Sequence, residues 1–176
     1  PQIHLEISEG TQENLMQDLK NNRIDVALLY DLELSSDINC VPLSEYHPYV
    51  ALPNNHKLAH KKEISLHELV ALPLILLDVA PSRSFFLGLF EVEGLKPTIA
   101  HTSPSLELVR GMVGCGLGYS LLVTRPHGDK TYDGSQICIR PLKGSHLKSK
   151  IVLGTLAALK KTKIITCLEQ TAQKLF

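Results

Sequence analysis

The sequence lacks an excess of either charge: lysines plus arginines number 18 and aspartates plus glutamates number 18 in 176 residues. Such a balance, with a sequence pI near 7.5, gives no electrostatic footprint for gripping phosphates along a duplex, so this segment alone should bind nucleic acid poorly. Metal-binding spacing is also lacking. Cys40, Cys115, Cys138 and Cys167 are scattered in apolar surroundings, with no C-x-x-C pair and no His/Cys arrangement of a zinc site. The expectation is no metal, no cofactor, and reduced, buried thiols in a cytoplasmic protein. No apolar run approaches the length of a bilayer span, and residues Pro1 to Gly10 have neither the basic start nor the apolar centre of a signal peptide. No internal repeat or low-complexity segment is present. What is there, 44% hydrophobic and 20% charged residues, is the composition of a folded protein, and the length suits one domain or two small lobes.

Periodicity then orders the chain. Ile3, Leu5 and Ile7 alternate with polar residues and predict a strand. Thr11 caps a helix carrying Leu15, Met16 and Leu19, which Asn21-Asn22 stops before a strand at Val26 to Leu29. Short strands follow at Cys40 to Leu43 and Tyr49 to Leu52, ending at the polar turn Pro53 to His56. Ser65 and Glu68 have capping-box spacing, and Leu74 to Leu77 reads as a buried strand. Ser82 or Ser84 caps a helix through Phe86, Leu89 and Phe90, stopped by Gly94 and Pro97. A strand at Thr98 to His101 leads to Ser103-Pro104, read as an N-cap and first helical residue ahead of Leu106, Val109 and Val113. Extended segments at Tyr119 to Val123, Ile137 to Leu142 and Ile151 to Leu156 precede a last helix through Ile165, Leu168, Ala172 and Leu175, with a polar loop at Arg125 to Ser135. The alternation predicts an α/β fold with a largely parallel sheet, whose ligands collect at the carboxyl ends of strands.

Most candidate chemistries reduce to structure. The glycines between Gly111 and Gly118 close a helix and enter a strand, the reverse of a dinucleotide loop, and small residues at a helix terminus need no ligand. Cys115 has no sequence-local histidine to activate it. His56 and His60 have helical spacing without the acidic partner of a metalloprotease helix and read as solvated. Asp25 suits a turn. The helix starts at Thr11, Ser82 to Ser84 and Ser103 to Ser105 differ, because helix N-termini present unpaired N–H groups and partial positive charge to anions.

Asn22-Arg23-Ile24-Asp25-Val26-Ala27-Leu28 and Tyr49-Val50-Ala51-Leu52-Pro53 with His56-Lys57-Leu58-Ala59 resemble the first lobe and first crossover of the sensing domains of LysR-type transcriptional regulators. Ile64 to Leu69, Gly94-Leu95-Lys96-Pro97 and Val109 to Gly118 match that family's weaker motifs in order and spacing. The resemblance implies a two-lobed type 2 periplasmic-binding-protein-like fold of Rossmann-like lobes with two crossover strands. The lobes would be residues 1–52 with 156–176, and residues 53–155. It implies no enzyme, but a small, anionic effector held between lobes by Gly10, Thr11 and Tyr30 from one and Ser82, Arg83, Ser84, Ser103 and Ser105 from the other. Arg83 is the residue expected to hold a carboxylate by two parallel bonds. DNA would be reached only through a helix-turn-helix domain not in this sequence, in a homodimer or homotetramer, with no membrane partner. The family's sensing domain also begins one strand and one helix earlier than Pro1, which leads one to expect an orphaned apolar face that includes Phe86 and Phe90. The rivals are a periplasmic solute-binding protein and an enzyme of the same fold.

Overall fold

The computed structural model describes residues 4–144 and 148–176. In chain order the elements are α1 (Gln12–Lys20), β1 (Ala27–Tyr30), β2 (Ile38–Tyr46), β3 (Tyr49–Pro53), a 3-10 turn (Lys57–His60), α2 (Leu66–Leu69), β4 (Pro73–Leu77), α3 (Ser82–Val92), β5 (Thr98–Ser103), α4 (Leu106–Gly114), β6 (Ser120–Leu122), β7 (Ile137–Pro141), β8 (Ser149–Leu156) and α5 (Lys163–Leu175). They form two compact units, Pro1–Ser44 with Lys150–Phe176, and Glu45–Ser149. The chain therefore passes from the first to the second within β2 and returns at the start of β8. These passages lie earlier in the chain than the expected ones at Pro53 and Leu156. Residues Tyr49–Pro53 pair with both β6 and β7, so the polar turn after Pro53 ends the central strand of a sheet in the second unit.

In the first unit β8 lies between β1 and β2, and β1 runs antiparallel to it from Ala27 opposite Gly154 to Tyr30 opposite Ile151. Leu19 of α1, exposed by 1%, packs with Ala27, Leu29, Ile38 and Val152 into the core of this unit. Thr11 caps α1, its hydroxyl accepting from the Asn14 amide at 3.3 Å. Asn22 takes a left-handed φ of 54° that ends the helix, a conformation asparagine tolerates. The strand expected through Leu5 and Ile7 does not form: residues 4–10 have no regular structure, and Leu5 and Ile7 are 64% and 85% exposed. Alternation marks two faces, but a strand also needs a ladder partner, and this segment has none among the described residues; Ile3 lies outside them. In α5 Ile165, Leu168 and Ala172 are half-buried while Leu175 is exposed, and the buried residue is Glu169, whose carboxylate meets Lys161 Nζ at 2.6 Å.

The second unit holds the larger core, in which Val50, Leu52, Leu74, Leu76, Phe86, Phe90, Tyr119 and Leu121 are buried together. Phe86 and Phe90 are exposed by 1% and 0%, so they do not belong to an orphaned face: α3 turns them inward, towards Leu76. The expectation of a largely parallel sheet is also corrected. β3 is antiparallel to β6 and β7, and β1 to β8, while β4 and β5 are parallel. Hydrophobic periodicity reports which face of a strand is buried and carries nothing about its direction. The thiols are corrected too: Cys138 is buried, but Cys40, Cys115 and Cys167 are exposed, since apolar neighbours in sequence lie on other faces of the same element.

Candidate functional site

Of the eight expected ligand-binding residues, three stand in the first unit. Gly10 and Thr11 lead into α1, and Tyr30 ends β1. A residue absent from the expectation ties them together. Gln12, 9% exposed, accepts from the Tyr30 amide through Oε1 at 2.8 Å and donates through Nε2 to the Leu32 carbonyl at 2.6 Å. The N-terminus of α1, whose Asn14 amide is taken by the Thr11 hydroxyl, is thereby fixed against the carboxyl end of β1 with the positive end of its dipole there. The sequence signal was slight: a long amide side chain directly after a helix cap.

The other five stand in the second unit at the carboxyl ends of the parallel pair β4 and β5. The Asp78 amide, one residue past β4, donates to the Ser103 carbonyl at the end of β5 at 2.8 Å. The chain then turns through a cis Ala80–Pro81 bond into α3, so Ser82, Arg83 and Ser84 form its first turn and Pro81, not Ser82 or Ser84, is the N-cap residue. The next helix start is shifted as well. Ser105 caps α4, accepting from the Leu108 amide at 3.3 Å, while Ser103 Oγ accepts from the Ser105 amide at 3.1 Å. The two serines act in succession, and Pro104 stands before the helix instead of opening it. Arg83 is not a free cation: its Nη1 lies 2.8 Å from Asp78 Oδ1. Asp78 is a second residue that spacing alone did not single out. It follows an apolar strand directly, at the strand end where α/β folds place polar groups.

The glycine run has a structural role, whereas His56 departs from the solvated reading. Gly118 approaches β4 so closely that an added Cβ would lie 2.2 Å from the Pro73 carbonyl oxygen. That contact lets the Tyr119 amide donate to the Pro73 carbonyl at 3.0 Å and the Ile75 amide to the Tyr119 carbonyl at 2.8 Å. The glycine run thus joins α4 to the sheet. His56 is half-buried rather than solvated, because its Nδ1 accepts from the Leu58 amide and caps the 3-10 turn; burial, with Lys57 nearby, holds its pKa below the usual value. Asp25 is exposed. Among the described residues no cluster of three or more His, Cys, Asp or Glu could hold a metal ion, and no helix is long and apolar enough to cross a membrane. Within the second unit the starts of α3 and α4 offer hydroxyls, helix N-termini and one Arg–Asp pair, groups that suit holding a small polar molecule better than bond-making chemistry.

Comparison with known proteins gives the same direction. The family model described as the LysR substrate binding domain matches residues 1–173. HinK, a LysR family transcriptional regulator from Pseudomonas aeruginosa, is similar in structure with a TM-score of 0.89 and 41% identity, over 95% of this chain and 58% of that one. The C-terminal domain of a probable LysR family regulator from Rhodococcus sp. RHA1 is similar with a TM-score of 0.89 and 30% identity, over 93% of this chain and 81% of that domain. Among curated proteins, the Hca operon transcriptional activator HcaR of Escherichia coli K12 is 26% identical over 132 residues, 73% of this chain and 42% of its own length. The chain spans less than half the length of the curated relatives it matches.

Proposed function

This chain belongs to the LysR substrate-binding domain family, with its mixed α/β, type 2 periplasmic-binding-protein-like fold, and from that premise we propose that it is the effector-sensing part of a transcriptional regulator. It binds a small metabolite bearing a carboxylate and does not turn it over. The residues proposed to contact it are Gly10, Thr11 and Tyr30 of the first unit and Ser82, Arg83, Ser84, Ser103 and Ser105 of the second. Thr11 and the first-turn amides of α1 offer donors, Arg83 supplies the cation, and Ser82, Ser84, Ser103 and Ser105 supply hydroxyls at the starts of α3 and α4. The intact protein works in the cytoplasm as a homodimer or homotetramer and reaches DNA through a helix-turn-helix domain beyond this chain.

The observation that carries this reading is the family match over residues 1–173; the helix starts gathered at strand ends give it a chemistry. The test is mass spectrometry of what co-purifies with the intact protein, followed by titration of that compound. Binding without product is expected, and product formation would refute it. Thr11→Val combined with Arg83→Ala should abolish the titration while leaving the circular dichroism spectrum unchanged, since both side chains are exposed and the lost Thr11 cap costs only about 1 kcal/mol. An unchanged titration in that double variant would mean that the site lies elsewhere.

A further inference from the structure

Arg83 is the cation of the proposed site, and Asp78 is its partner in the structure. Its Nη1 lies 2.8 Å from Asp78 Oδ1, with side chains 47% and 34% exposed. The Asp78 main chain is held in place, because its amide donates to the Ser103 carbonyl at 2.8 Å, so its carboxylate starts from the point where β4 and β5 end and is oriented by Arg83. Arg83 is anchored in turn by its amide, which donates to the Val79 carbonyl at 3.1 Å. The pair therefore presents both signs of charge at the end of the β4–β5 sheet, where the Asp78 amide meets the Ser103 carbonyl.

We infer that Asp78 is a specificity-determining residue and that the effector is a zwitterion of the amino-acid class, its carboxylate joining Arg83 and its ammonium group joining Asp78. This rests on the site proposed above. A guanidinium carries five donors, so an incoming carboxylate can share Arg83 without displacing Asp78. A ligand with a carboxylate alone would draw on Arg83 and weaken its hold on Asp78, leaving that anion partly unpaired as water is excluded. A dianion would fare worse, its second charge facing Asp78. A ligand that carries its own cation beside its carboxylate satisfies both partners at once, and discrimination then arises from the unpaired charge each rival leaves behind.

The probes are glycine, the other L-amino acids, the acid lacking the amino group corresponding to each, and succinate as a dianion. Each is screened against the intact protein by thermal shift and then titrated calorimetrically. At least one amino acid should bind about tenfold or more tightly than its deaminated partner. The near-isosteric Asp78→Asn should erase that preference by weakening the amino acid and strengthening the acid, and Asp78→Ala should do the same. A preference that persists in both variants, a wild-type preference for the deaminated acid or for succinate, or no binding by any probe overturns the inference. Arg83→Ala separates the two levels. If it abolishes binding of a probe that Asp78→Asn leaves unchanged, Asp78 fails while the site stands. If neither substitution alters that binding, the site itself has failed.

Discussion

Arg110 is a charged side chain exposed by 1%, and what surrounds it explains how the second unit tolerates it. Its Nη2 donates to the Lys130 carbonyl at 2.9 Å, and its Nε lies 3.1 Å from Glu107 Oε1 one helical turn away. Tyr49, whose hydroxyl donates to the Thr124 carbonyl at 2.8 Å, is close enough for the guanidinium to oppose the effect of burial, which still pushes its pKa up to about 12. The guanidinium thus pins the loop after β6 to α4 and, through Tyr49, to β3. Nη1 is buried without an acceptor among the described residues, so the clamp is costly and incompletely satisfied. Arg110→Ala removes both contacts and leaves a cavity under the loop; it should lower unfolding stability by about 3 kcal/mol, measured by urea denaturation. Glu107→Gln should cost less, because the near-isosteric amide keeps an oxygen able to accept from Nε and the loop anchor and packing stay in place. Equal losses in the two variants would show that the ion pair, not the loop anchor, is what matters.

The short helix α2 depends on its start, since four residues cannot hold a helix by propagation alone. Glu68 Oε2 accepts from the Ser65 amide at 3.1 Å and from its hydroxyl at 2.9 Å, and Oε1 pairs with Lys61. Lys61 first, then the Ser65 amide and hydroxyl, hold the Glu68 pKa down from 4.5 to about 2. A depressed carboxylate contributes stability that is complete above its unfolded value and is lost as pH falls through the folded one. Wild type should therefore lose stability between about pH 4.5 and 2, a loss that Glu68→Gln removes from the acid-unfolding profile. A second element-level test concerns the entry to β6. Gly118→Ala places a methyl group against the Pro73 carbonyl oxygen, so the β4–β6 junction must open, and a loss of about 2 kcal/mol or more is expected in the same urea assay. This scale is also where legibility varied most. The Ser65 box and the Thr11 cap were readable because cap and helix are neighbours in sequence. The start of α4 was misplaced by two residues because Ser103 and Ser105 are equally good caps, and β5 continues through Ser103. Strand direction was unreadable, since β3 is joined to β6 and β7 by residues about 70 to 90 positions away.

At the level of the molecule, family and fold class were legible from an ordered set of loose motifs, and the candidate residues only in part. Thr11, Arg83 and Ser105 announce themselves as caps or cations. Gln12 and Asp78 do not, because what they do is decided by Tyr30, Leu32, Ser103 and a turn that brings Arg83 back to the strand end. The charge balance is legible from composition alone, whereas its pairing is not. Among the described residues at least half of the 18 basic side chains stand within ion-pair distance of a carboxylate, as in Lys20–Asp37, Arg23–Asp18, Lys61–Glu68, Lys143–Glu63 and Lys148–Glu45. A duplex gains affinity by exchanging condensed counterions for protein cations, and cations already paired with carboxylates release few of them. The 176-residue chain should therefore fail to retard duplex DNA in a mobility-shift assay at physiological salt, whatever the sequence of the duplex. Retardation that weakened steeply with added salt would reveal a basic surface that these pairings do not neutralise. It would also place part of the DNA contact within the sensing domain itself.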